Sequence, residues 1–225
     1  MQLTSALAIV VAVMALGCFD RRAEAAVIIQ AYDQLGNPLQ DAVILAPEGY
    51  AATRTDSNRD QPPAIMDQID KAFVPKVLTV EQGRRVNFPN SDNIRHHVYS
   101  FSTPKVFELK LYAKQPEHPI NFEQAGIVVL GCNIHDKMIG FIVVSDTTIW
   151  GQTDQQGQTS LELPDNIRNL RVWHPDLKSG FNKVELHSLP DMDASQIIKL
   201  QLEIKPPIAV EKRGFGSDRF KTHGR

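Results

Sequence analysis

Short apolar runs separated by turn residues constrain the fold of this chain most. Runs rich in Val, Ile, Leu and Phe recur between Gly, Pro, Asn and Asp, and no segment keeps apolar residues at the helical period for long. This pattern predicts an all-β sandwich class, with turns at Gly36–Pro38, Gln82–Gly83 and Asp154–Gly157. The 225 residues, 42% of them hydrophobic, are enough for one large or two small cores.

The overall charge is close to neutral. A formal net charge of −2 provides no basic field for gripping nucleic acid or an anionic membrane, and no recognition motif for either is present. We therefore expect neither as a partner.

The N-terminus resembles an export signal. The apolar run "ALAIVVAVMALGCF" is short for a membrane span, and "AEAA" follows it as a small-x-small cleavage site. We expect residues 1–25 to be removed, which leaves a periplasmic chain that begins near Ala26 and has no membrane span. The alternatives are an uncleaved anchor and lipidation at Cys18.

Cleavage would leave Cys132 as the single thiol of a protein in an oxidising compartment, where cysteines are usually paired in disulfides. It is then either a buried, inert side chain or a metal-bound thiolate. The segment "GCNIHDKM" favours the metal, because Cys132, His135 and Met138 follow one another at three-residue steps. The apolar strand "IVVLG" leads into this loop and "IGFIVV" leaves it, so the three donors can converge.

A fourth donor is expected from "NSDNIRHHVYSFS". Neighbouring strand residues face opposite sides, so only one of His96 and His97 can reach the site. Two imidazoles, one thiolate and a weak thioether are the donor set of a blue-copper centre. Structural zinc favours more thiolates, and iron–sulfur clusters or covalently bound haem need more cysteines.

Two segments together resemble the plastocyanin-like cupredoxins. They are "FVPKVLTVEQGRRVNFPNSDNIRHHVYSF" and "GIVVLGCNIHDKMIGFIVV", and the resemblance covers roughly residues 64–145. The C-x-x-H-x-x-M spacing is similar to that of amicyanin, and the whole pattern resembles exported bacterial proteins often labelled methylamine-utilisation proteins. The resemblance implies a Greek-key β-sandwich with one type 1 copper.

The same resemblance implies the ligand set. Its metal ligands would be His96, Cys132, His135 and the axial Met138. His97 falls where these proteins usually have an Asn that joins the two ligand loops, so it either replaces His96 or supports it. The remaining histidines, at positions 118, 174, 187 and 223, lack ligand spacing and are expected to be structural or at the surface.

The flanks resemble a small transthyretin-like or carboxypeptidase-regulatory-like β-sandwich, with a "D-x-x-G" turn in "YDQLGNPL" and "TDQQGQTS". The expected domains are a cupredoxin domain at 56–145, a second sandwich from 26–55 and 146–204, and a flexible tail at 205–225. An N-terminal arm with a separate C-terminal domain is the alternative.

These observations predict an exported protein that carries single electrons and is not an enzyme. Its partner would be another exported redox protein, such as a c-type cytochrome or a dehydrogenase. A periplasmic copper chaperone or sensor is the alternative function. A multicopper oxidase would need about eight further His ligands, more than the seven histidines of the whole chain.

Overall fold

The computed structural model describes residues 26–50, 61–189 and 197–206, and these residues form seventeen β-strands and no helix. The first nine strands are β1 (Ala26–Asp33), β2 (Val43–Leu45), β3 (Ala64–Ile65), β4 (Asp67–Ile69), β5 (Ala72–Val74), β6 (Val77–Glu81), β7 (Arg84–Asn87), β8 (His96–Ser102) and β9 (Lys105–Tyr112). The others are β10 (Ile120–Phe122), β11 (Gly126–Cys132), β12 (Ile139–Ser145), β13 (Trp150–Gln152), β14 (Gln158–Glu162), β15 (Asn169–Trp173), β16 (Glu185–Ser188) and β17 (Ile198–Leu202). The prediction of an all-β sandwich is confirmed.

The first core lies between two small sheets built from both ends of the chain. The orders are β14–β1–β17 in one sheet and β13–β2–β15–β16 in the other. Strand β1 alternates buried and more exposed residues, as a half-buried strand should. Its Ile29 and Ala31 pack in one cluster with Ile44, Val172 and Trp173, all without solvent exposure.

The second core lies between a five-stranded sheet, β6–β12–β11–β8–β9, and a smaller sheet, β10–β7–β3. The hairpin β4–β5 adds to this unit, and its Phe73 joins the same core. Phe88, Phe122, Val98 and Leu130 are fully buried at its centre. All residues of this cluster come from the middle of the chain, between Met66 and Val144.

Strand β12 belongs to both cores. Phe141 and Val143 join the first cluster, whereas Ile142 and Val144 join the second, because successive side chains of a strand point to opposite faces. The Phe141 ring lies 5.4 Å from the ring of Trp173, measured between centroids. Strand β12 is therefore packed on both faces, which explains why its sequence is apolar without alternation.

The turns lie where the sequence placed them, but they join different sheets. Gly83 has a φ of 88°, a conformation that glycine adopts freely, and it links β6 to β7. These two strands do not pair with each other: β6 pairs in parallel with β12, and β7 pairs with β10 and β3. The turn carries the chain from one layer of the sandwich to the other.

Some of the predictions fall on residues that the structure does not describe. The predicted signal at 1–25, residues 51–55 of the flanking unit and residues 207–225 of the tail lie outside the described ranges. Within those ranges, no helix has the length and hydropathy needed to cross a membrane. The main-chain amide of Lys205, where the predicted tail begins, donates to the carbonyl of Asp176 at 2.8 Å.

The buried side chain of His174 should lower the free energy of unfolding as the solution becomes mildly acidic. Its Nε2 donates to the carbonyl of Gln40 at 3.1 Å, and its Nδ1 accepts from the amide of Asp176 at 3.1 Å, so both contacts fit the neutral ring. Burial lowers the pKa of His174, although the Asp176 carboxylate opposes this. Below about pH 6.5, His174 is therefore protonated in the unfolded chain but stays neutral in the folded chain until a lower pH.

We predict that the free energy of unfolding, measured by denaturant titration between pH 7.5 and 5, decreases as the pH falls below about 6.5. The slope from this group is at most about 1.4 kcal/mol per pH unit. His174→Gln should flatten that slope, whereas His187→Gln, at a half-buried site paired with Glu185, should leave it in place. An unchanged slope in His174→Gln would refute the assignment.

Candidate metal centre

Two strand ends meet at one edge of the second core. Strands β8 and β11 are antiparallel neighbours, with Cys132 opposite Val98 and Gly131 opposite Tyr99. A Cβ on Gly131 would approach the Tyr99 ring to 2.7 Å, so a larger residue there would require the Tyr99 ring to move. The register places the start of β8 beside the end of β11, on the buried face.

The alternation of β8 separates the two adjacent histidines. His96 is fully buried and points into the second core together with Val98, whereas His97 faces outward and is half-buried. The His97 Nε2 lies 2.8 Å from a carboxylate oxygen of Glu108, a close contact without the direction of a hydrogen bond. His96 is therefore the imidazole that the strand offers to the interior.

The loop after β11 folds through two successive turns that start at donor residues. The amide of His135 donates to the carbonyl of Cys132 at 3.4 Å, and the amide of Met138 donates to the carbonyl of His135 at 2.9 Å. Each three-residue step therefore closes one turn, which brings the next donor back over the previous one. The amide of Asn133 also donates to the His97 carbonyl at 3.3 Å and ties this loop to β8.

The donor atoms of His96, Cys132 and His135 lie within 4.8 Å of one another. The Sγ of Cys132 is 3.5 Å from Nδ1 of His96 and 3.9 Å from Nδ1 of His135. A metal with bonds of about 2.3 Å to sulfur and about 2.0 Å to nitrogen, at angles near 110–120°, would separate the sulfur from each nitrogen by about 3.5–3.7 Å. The three residues therefore fit around one metal ion with little movement.

Met138 lies at the end of the same loop. Its side chain is 1% exposed and packs in the second core together with Cys132, which is 3% exposed. The thiol of Cys132 forms no disulfide. The sulfur-bearing side of the centre is thus dry, whereas His135 is half-buried and its neighbours Asn133, Ile134 and Asp136 are exposed.

Asp92 supports the buried imidazole from the other side. Its Oδ2 accepts a hydrogen bond from Nε2 of His96 at 2.7 Å, and its side chain is 11% exposed. Asn90 shapes the loop before β8: its Oδ1 accepts from the amide of Asp92 at 3.0 Å, and its Nδ2 donates to the carbonyl of Ile94 at 2.8 Å.

The carboxyl of Asp92 is held in its ionised form. Burial alone would raise its pKa, but hydrogen bonds from the amide of Lys71, the ring of His96 and the amide of Asp70 outweigh burial and lower the pKa. A carboxylate that contacts the far nitrogen of a ligating imidazole is the usual outer partner of a metal-bound histidine.

The sequence placed His96, Cys132, His135 and Met138 at one centre. The structure brings the nitrogen and sulfur donors of the first three together and buries the fourth on the same loop. His97 lies outside this group. Asp92 was missed, and its only signal in the sequence is its position four residues before a candidate ligand, in a segment rich in Asn and Asp.

No family model matches the sequence, and no curated protein matches it. The chain is similar to solved structures of copper proteins over about half its length. A reduced amicyanin mutant is 19% identical with a TM-score of 0.32, and the match covers 45% of this chain and 97% of that chain. The reduced Cu(I) form of another amicyanin mutant at pH 4 is 22% identical with a TM-score of 0.33, and the match covers 46% and 98% of the two chains.

A copper-containing nitrite reductase from Thermus scotoductus is also similar, at 22% identity and a TM-score of 0.35. That match covers 51% of this chain but only 28% of the reductase chain.

The two neighbouring histidines give a direct test of the centre. His96→Asn should weaken Cu(II) binding, measured by calorimetric titration, by more than about 100-fold, because loss of a ligand exceeds the usual effect of losing its outer partner. His97→Asn should leave the affinity nearly unchanged. Loss of binding in His97→Asn together with retention in His96→Asn would show that the other imidazole is the ligand.

Proposed function

We propose that the protein is an exported copper protein that carries single electrons between redox partners. The observation that supports this most strongly is the convergence of a buried thiol and one nitrogen of each of two imidazoles within 4.8 Å, with the Nδ1 atoms 3.5 and 3.9 Å from the sulfur. His96, Cys132 and His135 would hold the copper, and Met138 would be its weak axial ligand. Copper would supply the Cu(I)/Cu(II) couple.

The donor chemistry favours copper over zinc. Thiolate and thioether are soft ligands, and a His2Cys set with a distant Met is typical of blue-copper sites. Structural zinc takes four strong ligands from Cys and His, and catalytic zinc usually has three ligands of the His or carboxylate type. The Asp92 carboxylate accepts a hydrogen bond from Nε2 of His96, the nitrogen that faces away from the thiol, so we do not count it among the metal ligands.

Packing suits a site that must change its charge with little rearrangement. Cys132 ends a strand of the five-stranded sheet, and the ligand loop returns directly into β12, which is buried on both faces. Such a scaffold restricts the movement of ligands, as a preorganised site requires. The flanking β-sandwich around the first core would stiffen this sheet from its other face.

The half-buried loop histidine gives the electron a short path to a partner. His135 is the least buried of the three donors, and Ile134 beside it is 48% exposed. A small, transient interface centred there would suit another exported redox protein such as a c-type cytochrome or a dehydrogenase. In this role the protein has no substrate to convert, so we propose that it is not an enzyme.

The optical spectrum tests the proposal. The purified protein with Cu(II) should show an intense visible band from thiolate-to-copper charge transfer, and Cys132→Ser should abolish that band. His97→Asn, which leaves the three donors in place, serves as the matched control. A colourless Cu(II) adduct of the native protein would favour a copper chaperone or sensor, and absence of copper binding would refute both functions.

The axial position gives a second prediction. Met138→Leu keeps a similar volume in the core and should cost less than about 1.5 kcal/mol of stability. It removes the axial electron donor, and because that loss destabilises the more highly charged Cu(II) more than Cu(I), the reduction potential should rise while the visible band remains. An unchanged potential, measured by protein-film voltammetry, would show that the Met138 thioether does not contact the metal.

A further inference from the structure

The contacts of Asp92 extend well beyond a single imidazole. Its Oδ1 accepts from the amide of Asp70 at 2.6 Å, and its Oδ2 accepts from the amide of Lys71 at 3.0 Å as well as from Nε2 of His96 at 2.7 Å. The carboxylate therefore joins the β4–β5 turn to the first residue of β8, more than twenty residues further along the chain.

The turn that holds Asp92 has an unfavourable backbone. Asp70 and Lys71 have φ values of 53° and 62°, in the left-handed region that favours glycine, and such two-residue hairpin turns usually contain Asn-Gly. The carboxylate of Asp92 accepts a hydrogen bond from both of these amides. The turn and the carboxylate thus fix each other's position.

The hydrogen bond to Asp92 also decides which ring nitrogen of His96 is free. An ionised carboxylate only accepts hydrogen bonds, so Nε2 must carry the proton that it donates. In the neutral ring, Nδ1 then keeps its lone pair, and this atom faces the Sγ of Cys132 at 3.5 Å. The buried ring has no freedom to exchange the two nitrogens without breaking the bond to Asp92.

We propose that Asp92 is a positioning residue that fixes His96 as an Nδ1 ligand and lowers the reduction potential of the centre. This inference rests on the proposed copper function. An anionic partner makes the imidazole a stronger donor and favours the more highly charged metal ion. The β4–β5 turn holds that anion in place, so this hairpin becomes part of the support of the metal site.

Glu108 offers a matched control within the same protein. Its carboxylate lies 2.8 Å from Nε2 of His97, the histidine that faces away from the three donors, and its side chain is 57% exposed. Asp92→Asn and Glu108→Gln each remove one negative charge beside an imidazole. Only the first charge is mostly shielded from solvent, at 11% exposure, and contacts a proposed ligand.

The first test is the reduction potential of the copper-loaded protein. Loss of an outer carboxylate usually weakens metal binding by about 10- to 100-fold, and a loss of that size in the Cu(II) form corresponds to a rise of about 60–120 mV for one electron. We expect this rise in Asp92→Asn, with the visible band retained. In Glu108→Gln the potential should rise by much less than about 60 mV, the value that corresponds to a tenfold loss of Cu(II) affinity.

A variant with a more stable β4–β5 turn separates an effect on the metal site from a failure of Asp92→Asn to fold. Asp70→Asn with Lys71→Gly supplies a turn that adopts the left-handed conformation without help from a carboxylate. In that background Asp92→Asn should still raise the potential. A rise that disappears there would show that Asp92 acts only by stabilising the hairpin, and the proposal would be wrong.

The second test uses the metal-free protein. Long-range ¹H–¹⁵N spectra should show His96 with its proton on Nε2, and Asp92→Asn should shift this population toward the Nδ1-protonated form. A native His96 protonated on Nδ1, or an Asp92→Asn protein with unchanged potential and ring state, would overturn the proposal while the copper function stands. A native protein that binds no copper would overturn both.

Discussion

The pairing of Cys132 with Val98 is the contact on which the candidate site depends. A strand exposes alternate residues to opposite faces, so a shift of one residue between β8 and β11 would turn His96 outward and bring His97 in. The buried Val98 and the close approach of Gly131 to the Tyr99 ring both oppose such a shift. Strand register thus decides which of the two adjacent histidines faces the interior.

The flanking sandwich around the first core acquires a physical role from its packing against the five-stranded sheet. Phe141 and Val143 of β12 pack into its core, and Thr79 donates to Gln152, whose amide donates in turn to Asp41. The strand that follows the ligand loop is therefore fixed on both faces. A loop anchored in such a strand has few alternative conformations, which is what a site with constant geometry needs.

The sequence predicted local features well and distant contacts poorly. Strand alternation and three-residue steps are local, so the inward face of one histidine and the closeness of Cys132 to His135 could both be foreseen. The partner of β6 could not, because the turn at Gly83 gives no sign that the chain changes sheets. Asp92 was missed for the same reason, since the amides that fix it come from a hairpin distant in sequence.

If copper occupies the site, the negative charge of Asp92 affects the relative stability of the two oxidation states. A thiolate and a carboxylate together carry two negative charges, which a divalent ion neutralises and a monovalent ion does not. An uncompensated charge is costly in a buried environment, so the reduced state needs compensation from nearby dipoles or solvent. The amides of Asp70 and Lys71 donate hydrogen bonds to the carboxylate and direct such dipoles at it, and His135 is half-buried and partly open to solvent. The protein would thus favour the oxidised ion without making the reduced ion inaccessible.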